Sequence, residues 1–143
     1  MWSTPMIKMT EEMRRLIDNN MADGCPCMMA TASPTGEPGI SFRGSMMAFD
    51  DDCLAYWDRT KRLGLDHVET NPKVVVMYRN PKERKSWKFH GDASIVKEGP
   101  LWEAVKARVV KEEMARDPEG QGFAVVIRLS RIMTLGGEVL QER

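Results

Sequence analysis

From Lys85 to Val96 the chain alternates without a break. Trp87, Phe89, Gly91, Ala93 and Ile95 fall on one parity, and Ser86, Lys88, His90, Asp92 and Ser94 on the other. A period of two marks a β-strand with one buried and one solvated face. A strand this long commits the chain to a sheet whose other members must supply the covering core. Cys27–Ala32, Ile40–Phe49, Cys53–Asp58, Val74–Tyr78 and Phe123–Leu129 read as those members, and Arg131–Leu135 continues or pairs with the last of them. Turn residues separate them at Ser33-Pro34-Thr35-Gly36-Glu37-Pro38, Asp50-Asp51-Asp52 and Arg79-Asn80-Pro81.

Three helices are predicted between and around the strands. Thr10 caps the first, with Glu11 and Glu12 in its first turn and Met13, Leu16, Ile17 and Met21 at helical spacing before Gly24. Leu63–Thr70 forms a short second helix that stops at Asn71-Pro72. Pro100 opens the third, which runs to about Ala115. Six or seven short strands joined by tight turns, with no regular strand–helix alternation, argue against a doubly wound sheet. They predict a mainly β domain: a small antiparallel barrel, closed or split, with peripheral α-helices. The 143 residues make one domain. It divides into an N-terminal helix region (1–23), a barrel core (24–97), a helix (98–118) and final strands (121–137).

Charge narrows the partners. Lys plus Arg and Asp plus Glu both number 21, so no whole-molecule field draws the chain to nucleic acid or an anionic membrane. No apolar run approaches the roughly 20 residues of a membrane span, and MWSTPMIKMT lacks the apolar core of a signal peptide. A cytoplasmic location is expected. Cys25, Cys27 and Cys53 form no disulfide framework and, with no second ligand pair, no zinc site; no metal is expected. Neither a G-x-S-x-G elbow nor a phosphate-binding G-x-x-x-x-G-K loop is present. His67 reads as exposed on its short helix and His90 as solvent-facing on its strand. The basic Lys82–Lys88 segment reads as a solvated hairpin, since Glu83 interrupts it.

Within this neutral chain, cations gather around one hairpin. Arg43 stands in the strand before the acidic turn, and Arg59, Lys61 and Arg62 follow the strand after it. Gly44, between Arg43 and Ser45, allows a close backbone approach. The second helix begins beside the cations, and its free amides add donors. The grouping suits either an anion such as a phosphate or a solvated basic rim.

The run from Ser41 to Tyr78 resembles the core of the pyridoxamine 5′-phosphate oxidase-like family of FMN-binding split β-barrels. The matching pieces are Arg43-Gly44-Ser45-Met46, the acidic turn before "CLAYWDRT", the step Arg59-Thr60-Lys61-Arg62 and "HVETNPKVVVMY". The likeness continues through "KSWKFHGDASI" to "RLSRIMTLGG". It implies a homodimer with FMN at the subunit interface. Arg43, Gly44, Ser45 and Met46 would lie along the isoalloxazine and ribityl chain, and Trp57 and Asp58 would flank the flavin. Arg59, Thr60, Lys61 and Arg62 would hold the phosphate. Contacts from the partner chain would come from near Trp87 and Lys88.

Three departures from the family bear on activity. The vitamin-making oxidases carry a basic C-terminal segment that this sequence lacks. Leu135 stands where an aromatic is common, and Leu63-Gly64-Leu65 replaces the usual basic residue one turn into the helix. The implied function is therefore a flavin-dependent oxidoreductase acting on a small molecule or reduced nicotinamide, and not a true pyridoxamine phosphate oxidase. No catalytic acid or base is assigned. The alternatives are a non-catalytic flavin-binding or stress-associated module, or a deazaflavin- or haem-binding protein on the same fold, with His67 or His90 as the histidine choice for a haem ligand.

Overall fold

The computed structural model describes residues 6–61 and 63–143. Among them eight strands and four helices follow in chain order: α1 (Glu11–Asp18), β1 (Cys27–Ala32), β2 (Pro38–Arg43), β3 (Met47–Asp50), β4 (Cys53–Asp58), α2 (Leu63–Thr70), β5 (Lys73–Asn80), β6 (Lys85–Val96), α3 (Pro100–Arg108), α4 (Lys111–Met114), β7 (Phe123–Met133) and β8 (Val139–Glu142). The strands pair antiparallel in the order β2-β1-β5-β6-β7-β4-β3, with β8 on β7. The alternation in β6 has the expected consequence: Trp87, Phe89, Gly91 and Ala93 are buried, and Asp92 and Ser94 are exposed.

The two ends of that order, β2 and β3, are neighbours in the chain. A turn from Arg43 to Met46, closed by the Met46 N–H donating to the Arg43 carbonyl at 3.1 Å, separates them. Ile40–Phe49 is therefore two strands rather than the single one expected. β2 pairs with β1 and β3 with β4, and the barrel is split where they part. Burial shows why one strand does not serve. β2 is an edge whose residues alternate between exposed and half-buried, whereas Met46, Met47 and Ala48 are all buried.

The core lies inside the barrel. Leu54, Tyr56, Val76, Phe89, Ile127 and Leu129 meet Ile7, Met9, Leu16 and Ile17 from the N-terminal segment and α1. Burying each such side chain contributes roughly 1.5–3 kcal/mol. Thr10 caps α1 as expected, its Oγ1 accepting the Met13 N–H at 3.1 Å. Buried Asn20 then ties the end of α1 to the barrel. Its amide donates to the Ile17 and Met46 carbonyls, and its Oδ1 accepts the Cys27 N–H. On the opposite face of β4, Ala55 and Trp57 pack with Met47, Val105 and Ala124 beneath α3.

Two other boundaries differ from expectation. The third predicted helix breaks into α3 and α4 because Val109 and Val110 are extended, with ψ of 133° and 145°. This β-branched pair gives up helical geometry, and Val109 packs against the cluster under α3. β7 runs unbroken through Arg131 to Met133, and a further strand, β8, folds back onto it. No helix among the described residues is long and apolar enough to cross a membrane.

Candidate functional site

α2 lies across the inner face of β2. Gly64 and His67 share one side of the helix, and Gly39 and Arg43 share one face of the strand. A Cβ at Gly64 would sit 2.7 Å from Arg43 Nη2. One at Gly39 would sit 2.8 Å from Thr31 Oγ1 and 3.1 Å from His67 Nδ1. Both bare positions thus make room for a polar side chain. Beside them opens a cleft of about 540 Å³ whose lining includes Thr31, Ser41, Arg43, Arg59, Thr60 and His67. That size is within the small-molecule range of roughly 300–1,000 Å³.

The cleft has a charged and incompletely satisfied floor. Arg43 Nη1 lies 3.7 Å from Asp58 Oδ2, and the guanidinium sits 4.9 Å from the centre of the Tyr56 ring. Arg43 Nε, Asp58 Oδ2 and the Tyr56 hydroxyl are buried with no hydrogen-bond partner among the described residues. Each such group costs about 1–3 kcal/mol when left unpaired. Burial pushes the Tyr56 hydroxyl up, Arg43 opposes and Asp58 adds, so it remains a protonated donor.

Asp58 also shapes the step above it. Its Oδ1 accepts the Lys61 N–H at 2.8 Å, and Lys61 takes a left-handed φ of 52°. Arg59 and Thr60 line the cleft. The Lys61 ammonium instead lies 4.2 Å over the Phe123 ring. Arg59 Nε is 3.9 Å from Glu113 Oε2, so α4 contributes a carboxylate to the same cleft.

Trp57 is fixed from three directions. Ser45 Oγ accepts its backbone N–H at 3.0 Å and donates to its carbonyl at 3.2 Å. Its indole packs 5.4 Å from Trp102 and donates to Asp117 Oδ2 at 2.8 Å. Asp117 also accepts the Gln121 and Gly122 N–H groups. Burial works to raise the Asp117 carboxyl, but these hydrogen bonds, aided by Lys61, hold it below the usual carboxylate value.

The structure thus brings together Arg43, Gly44, Ser45, Trp57, Arg59 and Thr60 at the cleft. Met46 is buried in the barrel core. Asp58 does not line the cleft and supports Arg43 from below, and Lys61 turns to Phe123. Arg62 lies outside the described residues. Gly44 occupies the turn between β2 and β3 rather than a strand interior, and a Cβ there would run into Met21 Cε. Trp87 faces the barrel interior, 6.0 Å from Tyr78 and 6.2 Å from Phe89. Lys88 is on the outer face, paired with Met77 and Met133.

His67 corrects an expectation. It is buried, 4% exposed, with Nδ1 2.8 Å from Thr31 Oγ1. The sequence carried a signal for this. Gly64, Leu65, His67 and Val68 form one helical stripe, and Leu65 and Val68 mark it as the packed side. Thr31 had only its strand parity, and Glu113 and Arg116 had no signal, because both depend on where the break at Val109-Val110 sends α4.

The family model for pyridoxamine 5′-phosphate oxidase matches residues 9–132. No curated protein matches the sequence. HupZ of Group A Streptococcus is similar at 28% identity and TM-score 0.74, over 92% of this chain and 98% of that one. An FMN-binding protein from Syntrophomonas wolfei shares 16% identity at TM-score 0.70, over 87% and 84%. HutZ, the haem storage protein of Vibrio cholerae, shares 19% at TM-score 0.62, over 78% and 87%. The last two show the fold alone. With the family model spanning α1 to β7, and with the split between β2 and β3 in place, this chain belongs to the pyridoxamine 5′-phosphate oxidase family and adopts its antiparallel split-barrel fold.

Proposed function

We propose that the cleft under α2 holds FMN and that the protein is a flavin-dependent oxidoreductase whose substrate is not pyridoxamine phosphate. The observation that carries this reading is the unpaired Arg43 Nε, buried beside Gly64 in a cleft that also receives Arg59 and Thr60. These residues fit an elongated ligand with an anionic end. Gly64, where the family commonly offers a basic side chain, leaves the space that Arg43 fills instead. Arg59, Thr60 and the first amides of α2 would hold the phosphate, and Ser41 and Arg43 would line its path. Bound there, FMN would supply hydride and electron transfer. Asp58 and Tyr56 keep Arg43 in place, and the Asp117 contact holds Trp57 rigid at the cleft wall.

The test is an absorption spectrum after incubation with FMN and removal of the excess. Retained flavin that is lost in Arg59→Gln is the expected result; full retention in that variant would sink the site as drawn. Turnover with reduced nicotinamide then separates an enzyme from a non-catalytic flavin module. Parallel titration with a deazaflavin separates the two flavin classes.

A homodimer is part of this reading. Ile40 and Phe42 on edge strand β2 are 72% and 67% exposed. Their cross-strand partners Ala30 and Met28 are followed on β5 by Val75 and Met77, all on one outer face. A second copy covering this face would close the cleft that Ile40 and Phe42 also line. A monomeric mass at micromolar concentration would contradict it.

A second reading rests on His67. Its Nδ1 is engaged by Thr31, and nothing among the described residues bonds its Nε2. An imidazole so oriented could ligate a haem iron. A Soret band that disappears in His67→Ala would favour haem, and no band after haem addition would dispose of it.

A further inference from the structure

A second hollow lies where β6 and β7 fall out of register. His90 faces Arg131 but Gly91 faces Leu129, so Ser130 is an extra residue in β7. Such bulges re-aim the side chains beside them. Gly91 makes this one possible, because a Cβ there would run into the Arg128 carbonyl oxygen. Two contacts fix it. Ser130 Oγ donates to the His90 carbonyl at 3.3 Å. Arg143 donates its backbone N–H to the Ser130 carbonyl at 3.1 Å and its Nε to the Leu129 carbonyl at 2.8 Å.

The result is a hollow of about 260 Å³ lined by Lys73, His90, Ser130, Arg131, Glu142 and Arg143, among others. Three of these are cations and one is a carboxylate. Each cation has a carboxylate partner: Glu142 approaches Arg131 at Nη1, 3.9 Å away, Lys73 bonds Asp92 at 2.8 Å, and Arg143 Nη2 bonds Asp52 Oδ2 at 3.2 Å. Two nitrogens of its lining residues are buried and without a partner among the described residues: His90 Nε2 and Arg131 Nε. As cross-strand partners their side chains stand side by side. Burial, with Arg131 and Lys88 nearby, holds His90 below the ordinary histidine value, so the ring is neutral at pH 7. Its Nε2–H tautomer donates a hydrogen bond without adding charge.

We propose that this hollow binds a small oxyanion, a carboxylate or a phosphate, through Arg131 Nε–H and His90 Nε2–H. The bulge sets the two unpaired donors side by side at one hollow, N–H groups without acceptors call for an acceptor-only ligand, and the volume admits a small anion rather than a nucleotide. The site is separate from the cleft and does not depend on what the cleft binds.

His67 and His90 are the only histidines in the chain, one in each cavity, so their imidazole NMR signals report the two sites independently. The experiment is a titration of the full-length, isotopically labelled protein with inorganic phosphate at constant ionic strength, with chloride as the balancing anion. The expected result is a saturable shift of His90 and of the Gly91 amide, with a midpoint unlike any response of His67. In Arg131→Gln the midpoint weakens about tenfold or more. In Arg131→Lys, which keeps the charge and loses the Nε–H, it weakens as well. The proposal is overturned if chloride shifts His90 equally, if neither signal saturates, or if both variants bind as the parent does. It is equally overturned if the signals follow protein concentration rather than phosphate, since a second copy would then fill the hollow.

Discussion

Leu54, Phe89 and Ile127 lie fully buried in the barrel interior, where apolar side chains leave no polar atom to satisfy. Tyr56 and Asp58, on the same strand as Leu54, are just as buried, yet the Tyr56 hydroxyl and one Asp58 oxygen have no hydrogen-bond partner among the described residues. The two regions differ in what their burial does. Inside the barrel it stabilises the fold. At the split it holds Arg43 against the cleft and leaves buried polar atoms without partners, at some expense in stability. Substitutions in the two regions should therefore separate stability from binding.

The largest loss of stability is expected inside. Phe89→Ala removes a fully buried ring and should lower unfolding free energy by about 3–5 kcal/mol, read by urea denaturation. Flavin affinity of the folded fraction should stay unchanged. Arg43→Ala works differently. It strands the Asp58 carboxylate, costing about 3 kcal/mol, and weakens FMN binding about tenfold or more. The pair Arg43→Ala with Asp58→Asn sharpens the contrast: it should recover much of the stability and none of the affinity. Equal recovery of both would mean that Arg43 acts only as a structural partner of Asp58.

The same division governs what could be read from the sequence. The barrel was legible because its information is local: alternation in β6, turn residues between strands and the cap at Thr10 each speak for themselves. The cations of the cleft were legible in part, since Arg43 and Arg59 flank one hairpin. The break at Gly44-Ser45 was not, because apolar residues continue through Met46 and Met47 and only the change of pairing partner divides them. Trp87 shares the parity of Phe89, and that alternation alone was enough to place it inside. Thr31 and His67 meet across 36 positions of sequence, a contact that no spacing rule reaches.

Acid should probe the rim of the cleft. The folded Asp117 carboxyl lies below its ordinary value. Its contribution is therefore complete above the unfolded value of about 3.9 and is lost as pH falls through the lower folded value. Asp117→Asn should cost about 1 kcal/mol at neutral pH and flatten the acid end of a plot of Tm against pH. An unchanged acid limb would mean that the carboxylates elsewhere, among them Asp52 beside Arg143, carry all of it.

Thr31→Val is the smallest change and the most specific to the cleft. Valine keeps the shape and the strand preference of threonine but leaves His67 Nδ1 buried without its hydroxyl. The expected loss of stability is about 1 kcal/mol, no more than for any substitution above. The ring also loses the hydroxyl that bonds its Nδ1. The His67 imidazole nitrogen shifts in NMR should therefore move, while those of His90 stay fixed. If FMN affinity falls with them, His67 reaches the ligand, and the polar wall of the cleft extends from Arg43 along α2. If the shifts move and affinity does not, His67 is a packed element of the α2–β2 contact, and recognition is confined to the end of the cleft where Arg43 and Arg59 converge.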